Sequence, residues 1–133
     1  MPSTQTHPAA TRLFLVEDSA PIRERLVALL SPVARVVGYA DNAADAIQDI
    51  LATRPATVLL DLNFASGSGS GLDVLRKLRA DAPEIDVFVL TNFASPQYRR
   101  LCLGLGARGF FDKSTEFEKV RDVLAARTSH TIQ

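Results

Sequence analysis

Short apolar runs separated by stretches of helical spacing recur five times along this chain, and that alternation constrains the fold more than any other feature. The runs are RLFLV (12–16), VARVVGY (33–39), ATVLLDL (56–62), DVFVLT (86–91) and ARGFFDK (107–113). Three of them are nearly continuous in Leu, Val and Phe, as expected of parallel strands covered on both faces. The intervening segments carry apolar stripes at helical spacing: Ile22, Leu26, Leu29 and Leu30, then Ala43, Ile47, Ile50 and Leu51, then Leu72, Leu75 and Leu78. Two more follow, Tyr98, Leu101, Cys102 and Leu105, and finally Phe117, Val120 and Leu124. Ser19, Asn42 and the pair Ser95-Pro96 stand where helix starts are needed, and Gly104 and Gly106 suit a helix stop. Strict strand–helix alternation predicts an α/β fold, an open parallel sheet with helices on both faces joined by right-handed crossovers.

The 133 residues, 47% of them apolar, have room for one domain with a sizeable core. We expect that domain over residues 12–127, with disordered tails at 1–11 and 128–133. The segment SGSGSG (66–71) resembles a flexible linker. A linker there would cut the alternation into halves too small to hold separate cores, so it reads as a loop.

Composition removes several chemistries. Lys plus Arg and Asp plus Glu both number 15, which leaves no electrostatic footprint for nucleic acid or an anionic membrane. Cys102 is the single cysteine, so an internal disulfide is ruled out and a reducing compartment fits. The opening MPSTQTHPAATR lacks the apolar core of a signal peptide, and no apolar run approaches the ~18 residues of a membrane span. The expectation is a soluble, cytoplasmic protein. His7 and His130 both fall in the polar tails, so the folded part offers no imidazole for metal binding or base catalysis.

Ligands of open α/β sheets bind beyond the carboxyl ends of the strands. There the first run ends in Glu17-Asp18, the third in Asp61, the fourth in Thr91 and the fifth in Lys113. Three carboxylates against one ammonium leave two formal negative charges in excess, which a hard divalent cation with oxygen ligands relieves. Mg²⁺ suits the set better than a softer metal, since no His and only a helix-borne Cys are at hand. A carboxylate can act as nucleophile in phosphoryl transfer, with cation, ammonium and hydroxyl serving the phosphoryl oxygens.

In Glu17-Asp18, in Asp61 after VLL, in VLT ending at Thr91 and in GARGFFDK ending at Lys113, the chain resembles the receiver domains of bacterial two-component response regulators. The resemblance covers roughly residues 12–127. It implies a flavodoxin-like (βα)5 fold with strand order 2-1-3-4-5. It also implies that Asp61 is the phosphoacceptor, charged by a sensor histidine kinase or phosphotransfer protein. Glu17, Asp18, Asp61 and the backbone carbonyl of Asn63 hold Mg²⁺ in this reading. Thr91 bonds the phosphoryl group, Lys113 pairs with it, and Phe110 is the aromatic of the switch. The implied output is a protein target on the face of the fourth helix, fifth strand and fifth helix, where Arg99, Arg100 and Arg108 are candidates. Direct nucleic acid binding and membrane contact are not expected, nor is enzymatic activity beyond the domain's own phosphorylation and dephosphorylation.

The sequence departs from the family pattern in three places. Phe64-Ala65 replaces the usual hydrophobic-Pro pair, and the family glycine falls late, at Gly71, which implies a longer and more mobile loop over Asp61. Asn92 follows Thr91 where Ala or Gly is usual, and Ser114 follows Lys113 where many members have Pro, so the usual cis peptide is not expected. Three other readings compete. A phosphatase with an Asp nucleophile needs a second acid where Asn63 stands. A constitutive scaffold without phosphate turnover is kept open by the altered loop, and a fragment of a longer DNA-binding regulator is not excluded. GLGARG (104–109) has the spacing of a dinucleotide fingerprint, but it lies between a helix and a following strand, the reverse of the required order. Phe110 and Phe111 must point to opposite faces of their strand.

Overall fold

In the computed structural model, residues 10–62 and 70–132 are described, the last five as backbone only. The order of elements is β1 (Thr11–Val16), α1 (Ala20–Leu30), β2 (Ala34–Ala40), α2 (Ala43–Thr53), β3 (Thr57–Leu60), α3 (Gly71–Asp81), β4 (Asp86–Thr91), α4 (Pro96–Gly104), β5 (Gly109–Asp112) and α5 (Lys119–Ile132). The strands form one parallel sheet in the order β2-β1-β3-β4-β5. The alternation predicts the open parallel sheet, and the strand order is the flavodoxin-like one that the resemblance implies. β1 already includes Thr11, and α5 runs to Ile132, past the bound expected at residue 127.

The apolar runs are continuous because each strand feeds two cores. Phe14, Val16, Val58, Leu60, Val87 and Val89 face α2, α3 and α4, packing with Ala46, Ile50, Leu75, Leu78 and Cys102. Leu13, Leu15, Leu59, Phe88 and Leu90 face the other way, onto Leu26 and Leu30 of α1 and Val120 and Leu124 of α5. Alternate residues on a strand point to opposite faces, so burying both faces requires apolar residues at every position. Each fully buried Leu or Val adds about 1.5–3 kcal/mol relative to exposure. No helix among the described residues is long and apolar enough to cross a membrane.

Helix starts follow the expected caps. The hydroxyl of Ser19 accepts from the Ile22 amide at 3.3 Å, Asn42 Oδ1 accepts from Asp45 at 2.9 Å, and Ser95 Oγ accepts from Tyr98 at 3.2 Å. α3 starts after Ser70, whose amide donates to the Asp73 carboxylate at 2.9 Å. Gly104 ends α4, and Gly106 sits at φ +100°, a conformation open to glycine and costly for other residues. One expected stripe is displaced. On α4 only Cys102 is fully buried, while Tyr98 and Leu101 lie exposed. Cys102 shares a core with Ala107 and Phe110 beside the four-residue edge strand β5, and so short an edge covers just one side of the helix.

Candidate functional site: an acidic cluster bridged by a lysine

The sheet order reverses between β1 and β3, and both strands run there into carboxylates. The β1–β3 pairing carries one residue beyond the regular ladder, with the Asp61 amide donating to the Val16 carbonyl at 3.0 Å. On the other side of β1 the Glu17 amide donates to the Ala40 carbonyl at 3.0 Å. Backbone hydrogen bonds therefore hold Glu17 and Asp61 at neighbouring strand ends. Oxygens of Glu17, Asp18 and Asp61 lie within 4.8 Å of one another. Glu17 and Asp61 are buried, and Asp18 is half-buried.

Lys113 arrives from the end of β5, where its amide donates to the Thr91 carbonyl at 2.9 Å. Its ammonium donates to Glu17 Oε1 at 2.7 Å and to Asp61 Oδ2 at 3.1 Å, with the side chain only 8% exposed. Burial pushes the Glu17 carboxyl above its ordinary value, against the pull of Lys113 and of the Ser19 amide. Burial pulls the Lys113 ammonium down, but the bond to Glu17 and the charges of Asp61 and Glu17 outweigh it and carry its pKa above the ordinary lysine value. The ammonium therefore stays charged at neutral pH and offsets one of three acidic side chains. Three oxygen donors with a residual negative charge make a set that can hold a hard divalent cation.

The remaining candidates surround this centre. Thr91 is fully buried at the end of β4, and its hydroxyl accepts from the Phe93 amide at 3.1 Å. Phe110 is buried on the α4 side of the sheet, while Phe111 packs on the α1 and α5 side, as strand alternation requires. Asn92 is exposed, and no cis peptide occurs among the described residues, including the bond to Ser114. Asn63, Phe64 and Ala65 lie outside the described residues, so the carbonyl ligand and the altered loop stay expectations.

Three contacts escaped the sequence reading, which placed Arg99 only among the output candidates. The Ser19 amide donates to Glu17 Oε2 at 3.1 Å, Arg23 Nη1 donates to the Glu17 carbonyl at 2.8 Å, and Arg99 Nη1 donates to the Phe110 carbonyl at 3.1 Å. Ser19 was legible only as a helix cap. No local pattern marks an arginine that reaches a particular carbonyl.

Known proteins resemble this chain in sequence and in fold. A family profile described as the response regulator receiver domain matches residues 13–125. The DNA-binding transcriptional activator DevR/DosR of Mycobacterium tuberculosis is 31% identical over 123 residues, covering 88% of this chain and 56% of that protein. The oxygen regulatory protein NreC of Staphylococcus epidermidis is 30% identical over 119 residues, covering 88% and 53%. The chain thus spans about half the length of these curated relatives. Among solved structures, the signal receiver domain of the response regulator NarL from Mycobacterium tuberculosis superposes with a TM-score of 0.81 at 26% identity, covering 92% of this chain and 98% of that one. On the profile match, the relatives and the shared topology, the chain belongs to the family of response regulator receiver domains.

Proposed function

We propose that this receiver accepts a phosphoryl group on Asp61 from the phosphohistidine of a sensor histidine kinase or phosphotransfer protein, and works in the cytoplasm. An Asp61 carboxylate oxygen attacks the phosphorus, the P–N bond breaks, and its electron pair leaves on the imidazole nitrogen, giving an acyl phosphate. The observation that supports this best is the Lys113 ammonium lying within hydrogen-bond reach of both Glu17 and Asp61, inside a cluster of three carboxylates. Glu17, Asp18, Asp61 and the Asn63 carbonyl are the ligands for Mg²⁺, which when bound neutralises charge on the phosphoryl oxygens. Lys113 pairs with one phosphoryl oxygen. Thr91 donates its hydroxyl proton to another, which its bond from the Phe93 amide allows, since that bond uses only an acceptor lone pair. Catalysis is limited to the domain's own phosphorylation and dephosphorylation.

Output runs through the α4-β5-α5 face to a protein target. Phosphorylation shifts an equilibrium between two arrangements of that face, with Thr91 and Phe110 as the switch. Support comes from Arg99, which ties α4 to the Phe110 carbonyl, and from exposed Tyr98, Leu101 and Leu103 on the same helix. The test is transfer from a phosphorylated kinase or phosphotransfer domain. Label should leave the donor histidine and appear on this chain, and Asp61→Asn should abolish it. Transfer that survives in the variant sinks the assignment, and an intact fold with no transfer from any donor favours a constitutive scaffold.

A second reading has an observation of its own. The match spans only about half the length of the curated relatives, and one is named as a DNA-binding activator. In that reading the chain is the receiver portion of a longer DNA-binding regulator, and the receiver itself makes no nucleic acid contact. The size of the protein detected in cell extract by an antibody to the receiver separates the two.

A further inference from the structure

Arg23, in the first turn of α1, ties two strand ends together. Its Nη1 donates to the Glu17 carbonyl at 2.8 Å, one residue past the end of β1. Its guanidinium carbon lies 4.2 Å from the ring centroid of Tyr39, inside the ~6 Å reach of a cation–π contact. Tyr39 precedes the last residue of β2, Ala40, whose carbonyl accepts from the Glu17 amide at 3.0 Å. These contacts close a ring of four residues, Glu17, Arg23, Tyr39 and Ala40. Tyr39 is 57% exposed, so core packing does not account for its aromatic side chain. Its place against Arg23 does, because a stacked guanidinium samples fewer rotamers than a free one.

The consequence falls on Asp18, because both peptide groups that flank it are held. The Glu17 carbonyl, in the peptide before Asp18, takes the Arg23 bond. The Ser19 amide, in the peptide after it, donates to Glu17 Oε2 at 3.1 Å. Arg23 itself starts from a fixed base. The Ser19 hydroxyl caps α1 through the Ile22 amide, and the Arg23 amide donates to the Ser19 carbonyl at 2.9 Å. Strand end, turn and helix start are therefore one hydrogen-bonded unit, and the Arg23 side chain closes it onto β2.

We propose that Arg23, held in place by Tyr39, is a positioning residue for the acid pair Glu17-Asp18, fixing the peptide between them so that both carboxylates serve one cation. This role rests on the reading of that pair as Mg²⁺ ligands. Groups that orient metal ligands without touching the metal typically change its affinity by about 10–100-fold. The sign of the effect separates positioning from charge. A guanidinium repels a nearby cation, so removing its charge alone should tighten Mg²⁺ binding, whereas losing its hold on Glu17 should weaken it.

Mg²⁺ titrated into the isotope-labelled chain, followed by NMR at the amides of Asp18 and Asp61, gives the Kd without any phosphoryl donor. Arg23→Met should raise that Kd by about tenfold. Tyr39→Leu alters only an exposed side chain and keeps the charge, and it should raise the Kd by about threefold. Tyr39→Phe keeps the ring and should bind as the native chain does. With acetyl phosphate as donor, the Mg²⁺ concentration for half-maximal phosphorylation should rise by the same factors. The rate at saturating Mg²⁺ should stay within about twofold of native, since a positioning role acts through metal affinity. An unchanged or lowered Kd in Arg23→Met would overturn the role, and so would an unchanged Kd in Tyr39→Leu. A native chain that binds no Mg²⁺ would overturn the ligand reading and this role with it, whereas equal binding by native and variant chains overturns the role of Arg23 alone.

Discussion

Lys113 stands between two acids that the chain brings to it from 96 and 52 residues away. Its charge state therefore links site and stability. The folded form holds the Lys113 proton more tightly than the unfolded chain does, so this stabilising contribution is complete below about pH 10.5 and is lost as pH rises through the higher folded value. Urea midpoints measured from pH 9 to about 12 should fall more steeply for the native chain than for Lys113→Met. Parallel profiles would show that the bridge does not form in solution. The cluster also predicts a response to metal. Mg²⁺ at about ten times its Kd should stabilise the fold by about 1.4 kcal/mol, a rise in Tm of roughly 4–7 °C, and Asp18→Asn should lose most of it. The same rise in both proteins would place the ion elsewhere.

Among the elements, α3 is the one whose start most directly shapes the site. A Cβ on Gly71 would come within 2.4 Å of the Asp61 carbonyl and 2.5 Å of Leu62 Cα, both backbone, while the Gly71 amide donates to Leu62 at 3.1 Å. Gly71→Ala should therefore cost about 1–3 kcal/mol by overpacking and also displace Asp61, slowing its phosphorylation. Unchanged stability, read from denaturant midpoints, would contradict this close approach. A glycine at this point was legible in the sequence, but its reason was not, because the contact is made across the strand-to-helix loop. α2 ends at Arg54 in the left-handed region, at φ 52°. Arg54→Gly should raise stability by up to about 1 kcal/mol, since the relieved backbone strain exceeds the value of the exposed Arg54–Glu84 pair. A lower Tm for this variant would mean that the pair outweighs the strain.

For the whole molecule, strand runs and their order of chemistry were readable because a parallel sheet buried on both faces leaves apolar residues at every strand position. The topology then carries Glu17, Asp18, Asp61 and Lys113 to one rim. Periodicity could not show which side of α4 the short β5 edge covers, nor that Arg99 would reach the Phe110 carbonyl. Both depend on how separate elements dock, not on spacing within one. The most direct test of the central claim, that Asp61 is the phosphoacceptor, is intact mass after incubation with Mg²⁺ and acetyl phosphate. The account predicts one phosphoryl adduct, stable in acid and labile in base, absent from Asp61→Asn and absent when the metal is chelated. An adduct that persists in Asp61→Asn, or none on a folded native chain, would contradict it.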